Sequence, residues 1–175
     1  MNPREASDWE TNDVPGCPKA GPLLGTDSAD KLDGGEGDDE IRGLGAKDDL
    51  IGGQGSDVIY GGPGNDYLTG STWDRRDRAT SKDVVYGGPG TDELEDGAGD
   101  DVLYGGDGDD VFYTGRGEDV FYGGDGNDVL YIESNDGQRD KLYCGKGRDS
   151  YGADKNDYVD SSCEKKLRFP YDAEA

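Results

Sequence analysis

The sequence has no histidine, and its three cysteines are not clustered. Without histidine the chain cannot form a Ser-His-Asp triad, a Cys-His pair or an HExxH zinc site. The same absences disfavour zinc, copper and iron, which bind mainly through imidazole and thiolate groups. We therefore expect a protein that is not an enzyme. A carboxylate pair of the glycosidase type is the one catalytic arrangement that the composition leaves open.

Positive charge and apolar residues are also scarce. Lys and Arg number 18 against 41 Asp and Glu, the net charge is −23, and 30% of the residues are hydrophobic. This charge disfavours nucleic acid as a partner. The sequence has no run of apolar residues long enough for a membrane span. In an ordinary chain, such a composition would indicate disorder.

What the chain has is glycine and aspartate at a fixed period of nine residues. The whole unit is seen in GGQGSDVIY (52–60), GGDGDDVFY (105–113) and GGDGNDVLY (123–131). A fixed period with apolar residues at fixed positions is typical of a solenoid. The period therefore argues against disorder, at least while any ion that the fold needs is bound.

Fourteen aspartates are each followed two residues later by an apolar or aromatic side chain. The aspartates are Asp30, Asp39, Asp48, Asp57, Asp66, Asp83, Asp92, Asp101, Asp110, Asp119, Asp128, Asp140, Asp149 and Asp157. Their partners are Leu32, Ile41, Leu50, Ile59, Leu68, Val85, Leu94, Leu103, Phe112, Phe121, Leu130, Leu142, Tyr151 and Val159.

Each unit divides into a glycine turn and a short strand that begins at the aspartate, because glycine tolerates positive φ and D-V-L-Y favours β structure. Side chains two residues apart lie on the same face of a strand, so the aspartate and its apolar partner should face inward. We expect an all-β solenoid, with two units per 18-residue coil and stacked coils that form two parallel sheets around a thin core.

Stacking would place aspartates 18 residues apart next to each other, such as Asp83, Asp101 and Asp119. Unneutralised, such a column of carboxylates would repel itself. A hard divalent cation bound by carboxylate and carbonyl oxygens removes the repulsion, and a flexible site with many oxygen ligands suits Ca²⁺ better than Mg²⁺. Because the core is thin, we expect calcium binding and folding to be coupled.

The repeat GGxGxDxUx, in which U is a large apolar residue, resembles that of the RTX, or hemolysin-type, calcium-binding proteins. The resemblance covers about residues 25–160 and implies a right-handed parallel β-roll with Ca²⁺ between successive coils. It implies that the fourteen aspartates are metal ligands and that turn glycines such as Gly87, Gly105 and Gly123 contribute backbone carbonyls. We expect about eight to eleven ions at extracellular affinity, ~10⁻⁴ to 10⁻³ M.

Several units depart from the repeat. Those at 25–33 and 43–51 lack some glycines, which predicts weak or empty sites at the N-terminal end. The segment between Thr69 and Asp83 adds eight residues, residues 132–143 hold three extra, and residues 153–160 are one short. We expect each irregularity to break the register, with no calcium bound across these joins.

The ends of the chain carry no complete repeat. Residues 1–24 are predicted to form an N-terminal cap or tail, 25–160 the β-roll with an insert at about 70–82, and 161–175 a C-terminal cap and tail. Cys144 and Cys163 are about one coil apart, so a disulfide is favoured over two free buried thiols. Cys17 is then either a free thiol or an intermolecular partner.

A disulfide and a need for millimolar Ca²⁺ both predict a secreted, extracellular protein, in solution or at the cell surface. Because no signal-peptide pattern is present, either the chain is a mature form that begins at an added Met1 or its export uses another route. We expect a monomer.

The main alternative function is adhesion to a glycan or protein outside the cell, with calcium only structural. Outward Tyr and Val side chains form columns, with Tyr86, Tyr104 and Tyr122 on one sheet and Tyr113 and Tyr131 on the other. Such columns either bind a partner or stabilise the strands by stacking across them. The insert holds Trp73, Arg75, Arg76 and Arg78, which either grip an anionic partner or form a solvated loop.

Overall fold

A computed structural model describes residues 10–11, 22–71, 81–132 and 138–167 of the chain. These residues form seventeen strands and no helix. The strands are β1 (Glu10–Thr11), β2 (Leu23–Leu24), β3 (Lys31–Glu36), β4 (Glu40–Arg42), β5 (Asp49–Gln54), β6 (Val58–Tyr60), β7 (Tyr67–Ser71), β8 (Val84–Pro89), β9 (Glu93–Glu95), β10 (Val102–Asp107), β11 (Val111–Tyr113), β12 (Val120–Asp125), β13 (Val129–Tyr131), β14 (Lys141–Lys146), β15 (Ser150–Gly152), β16 (Tyr158–Val159) and β17 (Lys165–Lys166).

Consecutive strands alternate between two sheets. The odd-numbered strands form a nine-stranded sheet in the order β1 to β17, and the even-numbered strands form an eight-stranded sheet from β2 to β16. The strand pairings that connect neighbours in both sheets are parallel. Each coil thus contributes one strand to each sheet, which confirms the predicted parallel β-roll.

The core is a single layer of apolar side chains between the two sheets. Twelve of the fourteen predicted core residues, from Leu32 to Leu142, are at most 2% exposed. Phe112 and Phe121 face each other across the core, with ring centroids 6.1 Å apart in an edge-to-face contact. Tyr151 and Val159 are only half-buried and pack against the edge of this core.

The expectation that the irregular units break the register is wrong. Across the insert, Val58 of β6 pairs with Val84 of β8, and Tyr67 of β7 pairs with Glu93 of β9. Equivalent aspartates are there 26 residues apart instead of 18. Equivalent aspartates are 21 residues apart across the segment at 132–143 and 17 apart across the segment at 153–160. The strands on the two sides of each irregular segment therefore keep their parallel pairing.

Glycine turns connect the strands, and several turn positions require positive φ. Gly88 and Gly90 show the usual geometry, with φ of 112° and 152°. In the glycine-poor unit at 43–51, Leu44 and Ala46 occupy the corresponding positions with φ of 84° and 75°. An L-residue in the left-handed region is strained. The departure from the repeat is therefore accommodated at a cost in backbone energy.

A stack of tyrosines runs along the outer face of the eight-stranded sheet. The rings of Tyr60, Tyr86, Tyr104, Tyr122 and Tyr143 follow one another with centroids 4.8 to 5.0 Å apart and nearly parallel planes. Tyr158 continues the stack at a tilt, and the Arg42 guanidinium covers the Tyr60 ring at 4.9 Å. On the other sheet Tyr113 and Tyr131 also stack, at 5.4 Å.

The C-terminal coils are joined by a disulfide between Cys144 and Cys163, whose Cα atoms are 5.0 Å apart. This is the pairing that the spacing predicts. Cys17 and the Trp73 to Arg78 cluster lie outside the described residues. In the described ranges, no helix has the length and apolarity that a membrane span requires.

We predict that Ala46→Gly stabilises the folded protein. Relief of the left-handed strain offsets the entropic cost of glycine, for a net gain of about 0.5 kcal/mol in the free energy of unfolding. Chemical denaturation in saturating calcium measures it. The matched control is Ala98→Gly, at a turn position without positive φ, which should be neutral or destabilising. Equal effects of the two changes would contradict the strain at Ala46.

Candidate metal centre

The predicted aspartates form two columns, one along each edge of the roll. The first column precedes the strands of the nine-stranded sheet and contains Asp30, Asp48, Asp66, Asp92, Asp110, Asp128 and Asp149. The second column precedes the strands of the eight-stranded sheet and contains Asp39, Asp57, Asp83, Asp101, Asp119, Asp140 and Asp157. All are buried except Asp157, which is half-buried. The inward orientation follows from the alternation along each strand.

One carboxylate oxygen of most of these aspartates joins two neighbouring coils. In the first column, the backbone N–H of Asp92 donates to Oδ1 of Asp110 at 2.8 Å, and that of Asp110 donates to Oδ1 of Asp128 at 2.9 Å. The same bond repeats along both columns at 2.7 to 3.2 Å. The aspartates therefore have a structural role as acceptors that would exist without any ion.

The second carboxylate oxygen, Oδ2, does not take part in these hydrogen bonds between coils. In the interior of the columns, Oδ2 is buried and accepts no hydrogen bond from the protein at Asp48, Asp57, Asp66, Asp92, Asp110, Asp128 and Asp149. A buried charged oxygen without a partner costs several kcal/mol in general. A repeated set of such atoms therefore fits a positively charged ligand.

Turn carbonyls lie beside these oxygens. A methyl group added at Gly61 would lie 2.6 Å from Oδ2 of Asp66 and 2.7 Å from the carbonyl oxygen of Gly87 in the next coil. At Gly87 the same position is 2.5 Å from Oδ2 of Asp92 and 2.6 Å from the carbonyl oxygen of Gly105. At Gly105 it is close to Oδ2 of Asp110 and the carbonyl oxygen of Gly123. A side chain would not fit at these positions, so glycine is required. An aspartate Oδ2 and a carbonyl oxygen of the next coil thus lie close together at each of these turns.

The end units supply a contrast. Oδ2 of Asp30 accepts hydrogen bonds from the backbone N–H and the hydroxyl of Thr26, at 2.6 and 2.9 Å. Oδ2 of Asp157 accepts one from the backbone N–H of Asp154 at 2.7 Å. At both ends the protein itself provides the donors that the interior lacks. The interior aspartates therefore fit a cation that binds oxygen ligands. The Oδ2 atoms of Asp30 and Asp157 already accept hydrogen bonds and require a cation less.

Two acidic residues of the columns do not stand at repeat aspartate positions. Glu164 Oε2 accepts the backbone N–H of Asp149 at 2.7 Å and so ends the first column. Asp96 occupies the place of the first turn glycine in DGAGDD, and its side chain is fully buried beside Asp101 and Asp119. For Asp96 the signal in the sequence is an acid where the repeat has glycine. For Glu164 it is an acid near the position of the next unit.

A family model for the RTX calcium-binding nonapeptide repeat matches the chain in four copies, at residues 24–58, 43–72, 86–121 and 111–134. Together the matches cover residues 24–72 and 86–134, more than half of the chain. The chain belongs to the RTX calcium-binding nonapeptide repeat family. Its columns of aspartates and turn glycines are the repeats that define that family. No curated protein matches the chain.

The electrostatics of the ion-free RTX columns disfavour charged aspartates. Burial, followed by the negative charge of neighbouring aspartates, raises the pKa of Asp110 to about 8 and that of Asp57 to about 7. Burial likewise raises the pKa of Asp48, Asp92 and Asp128 to about 6. Near neutral pH, several of these carboxyls would therefore hold protons unless a cation replaces them.

We predict that acid partly replaces calcium in stabilising this RTX protein. The folded pKa values are raised above the unfolded value of 3.8, so the folded state binds more protons and loses stability as pH rises through about 8. In EGTA, the β signal in far-UV circular dichroism should therefore increase as the pH falls from about 8 to about 5.

The companion measurement is a calcium titration at each pH of the same series. There the midpoint of the calcium titration should move to higher concentration as the pH falls, because protons and Ca²⁺ compete for the same oxygens. An ion-free protein whose β content is independent of pH, or increases with pH, would show that the columns do not carry these raised pKa values.

Proposed function

We propose that the repeat aspartates and the turn carbonyls of this chain hold calcium ions between successive coils, and that binding folds the chain outside the cell. The fourteen aspartates are the candidate side-chain ligands, with backbone carbonyls such as those of Gly87, Gly105 and Gly123. The observation that carries the proposal is the set of buried Oδ2 atoms that accept no hydrogen bond from the protein.

The donor set favours Ca²⁺ over other cations. Carboxylate and backbone carbonyl oxygens converge at each turn, and Ca²⁺ takes six to eight such ligands in flexible geometry, whereas Mg²⁺ requires a small octahedral site and retains waters. The sequence has no histidine, and Cys144 and Cys163 are joined in a disulfide. Metals that prefer imidazole or thiolate ligands are therefore disfavoured.

Folding and binding are coupled because the same atoms serve both. An unfolded chain separates the aspartates, whereas the roll collects them in buried columns whose charge requires neutralisation. The single-layer core offers little apolar burial to offset this cost. Calcium supplies the neutralising charge, so the free energy of ion binding becomes free energy of folding.

Occupancy should follow the geometry of the coils. The register continues across all three irregular segments, which removes the reason for leaving those joins empty. Oδ2 of Asp30 and Oδ2 of Asp157 already accept protein hydrogen bonds, and this supports weaker sites at the two ends. The number proposed remains about eight to eleven ions at a dissociation constant of ~10⁻⁴ to 10⁻³ M.

The setting proposed is extracellular, where calcium is abundant at this affinity and disulfides persist. Within this scheme residues 1–24 cap the first coils, residues 25–160 bind the ions and residues 161–175 close the last coil. The caps are supported by β1, which pairs with β3 at one end of the nine-stranded sheet, and by β17, which pairs with β15 at the other.

The tyrosine stack favours stabilisation of the sheet over recognition of a glycan. A sugar that packs on an aromatic side chain needs the face of the ring. In the stack, the faces of Tyr86, Tyr104 and Tyr122 are covered by the neighbouring rings at 4.8 to 5.0 Å. Such cross-strand pairs stabilise the sheet by about 0.2 to 1 kcal/mol each.

A calcium titration from EGTA, followed by far-UV circular dichroism with a Mg²⁺ series in parallel, tests the proposed function. We expect a cooperative transition from coil to β structure in calcium and none in magnesium, because only calcium fits the flexible oxygen sites. Full β structure in EGTA that calcium does not change would refute ion-coupled folding.

We predict that Asp110→Asn has opposite effects with and without calcium. Asparagine keeps the Oδ1 acceptor for the backbone N–H of Asp92 but removes a buried charge. In EGTA the variant should be more stable than the wild type. In calcium its titration midpoint should rise on the order of tenfold, because each affected site loses a charged ligand.

The matched control is Asp107→Asn, an exposed aspartate three residues away in the same coil. It removes the same formal charge without touching the column, so both effects should be small there, within the range of screened surface charges. Equal behaviour of the two variants would mean that general charge reduction, and not the buried column, controls folding.

A further inference from the structure

One turn of the roll carries an acidic residue at a position where the preceding and following units of the chain carry glycine. In the units that precede and follow it along the chain the first turn position is Gly87 and Gly105, and between them it is Asp96; the equivalent position in the next coil of the same sheet is Thr114. At the glycine positions an added Cβ would approach an aspartate Oδ2 of the same turn. Asp96 brings a carboxylate to this part of the fold.

The side chain of Asp96 is 0% exposed. Its Oδ1 accepts hydrogen bonds from the backbone N–H of Gly97, at 2.6 Å, and from that of Gly115 in the next coil. Its Oδ2 is buried and accepts no hydrogen bond. One oxygen is therefore fixed by two coils, and the other points into the fold without a protein donor.

Three carboxylates meet at this place. Oxygens of Asp96, Asp101 and Asp119 all lie within 4.8 Å of one another. Asp101 and Asp119 are consecutive members of the second column, with the N–H of Asp101 donating to Oδ1 of Asp119 at 2.8 Å. All three side chains are buried, so their charges repel one another in surroundings of low polarity. Together they make this cluster unfavourable without added positive charge.

We infer that Asp96, Asp101 and Asp119 form a calcium site of higher affinity than the others in the roll, and the first to fill. The inference rests on the proposed function, in which an ordinary site has two repeat aspartates from neighbouring coils. Here a third carboxylate is added to the same oxygen environment. Calcium affinity in proteins increases with the number of charged ligands and with the rigidity of the site, and the two hydrogen bonds to Oδ1 of Asp96 provide rigidity.

The competing explanation is a proton. A carboxyl hydrogen held between Asp96 and Asp119 would neutralise part of the cluster without a metal, and the turn would then be a local structural feature. The two explanations differ in what happens when the charge of Asp96 is removed. Loss of a metal ligand changes the tightest phase of calcium binding, whereas loss of a shared proton leaves that phase intact.

Isothermal titration of the full chain with CaCl₂ at neutral pH tests the inference on three variants. Asp96→Asn removes the charge and keeps the shape, and Asp96→Gly restores the repeat glycine, so that a folded roll is expected even if asparagine is not tolerated. Asp107→Asn is the control for net charge. Circular dichroism in saturating calcium verifies that each variant is folded.

We expect the wild type and Asp107→Asn to show one site at least tenfold tighter than the remainder. Both Asp96 variants should lose this phase and keep the weaker ones. A wild type with a single uniform class of calcium sites, or an unchanged tight phase in folded Asp96→Asn and Asp96→Gly, would overturn the inference while leaving the proposed function in place. A wild type that binds no calcium would overturn both.

Discussion

The stacking of the coils depends on the columns of buried aspartates, which connect successive coils along both edges of the roll. Most of these carboxylates join two coils through Oδ1, which accepts a backbone N–H from the preceding coil, as between Asp92 and Asp110. The same carboxylate brings a second oxygen into the interior, and at most interior positions that oxygen accepts no hydrogen bond. The feature that aligns the coils thus also brings an electrostatic cost into the interior of the roll.

This constraint explains the composition of the chain. Glycine is needed at positions such as Gly61 because Oδ2 of Asp66 and a carbonyl of the next coil leave no space for a side chain. Other turn glycines are needed for positive φ, and where Leu44 and Ala46 replace them the backbone is strained. The high negative charge follows from repeating the unit, and the family's calcium ions are the complement that such columns require.

Much of the fold could be predicted from the sequence because the period is strict. The alternation along each unit placed the aspartates and residues such as Leu50 and Phe112 inside, and the 18-residue coil predicted the two parallel sheets and the neighbouring cysteines. The register across the insert could not be predicted in this way, since counting residues does not show whether the strands that follow extra residues keep or shift their pairing. The pairing of Val58 with Val84 decides it.

Fewer details of the candidate metal site could be predicted from the sequence. The hydrogen bonds to Oδ1 depend on the rise between coils and on side-chain orientation, which a periodic pattern does not contain. Asp96 was missed because the repeat has glycine at this position, as at Gly87 and Gly105, and a ligand side chain is not expected there. Only the three-dimensional structure brings Asp96 next to Asp119. Glu164 was missed because it lies 15 residues from Asp149 and not one full coil away.

The most direct test of the account is anomalous diffraction from crystals grown in calcium. The account predicts two rows of anomalous peaks that follow the aspartate columns, with neighbouring peaks in a row about 4.8 Å apart, one strand spacing, and each beside Oδ2 of an interior aspartate such as Asp110. Folded crystals with no peaks along the columns, or with calcium only at surface carboxylates, would contradict the claim that these ions neutralise the interior of the roll.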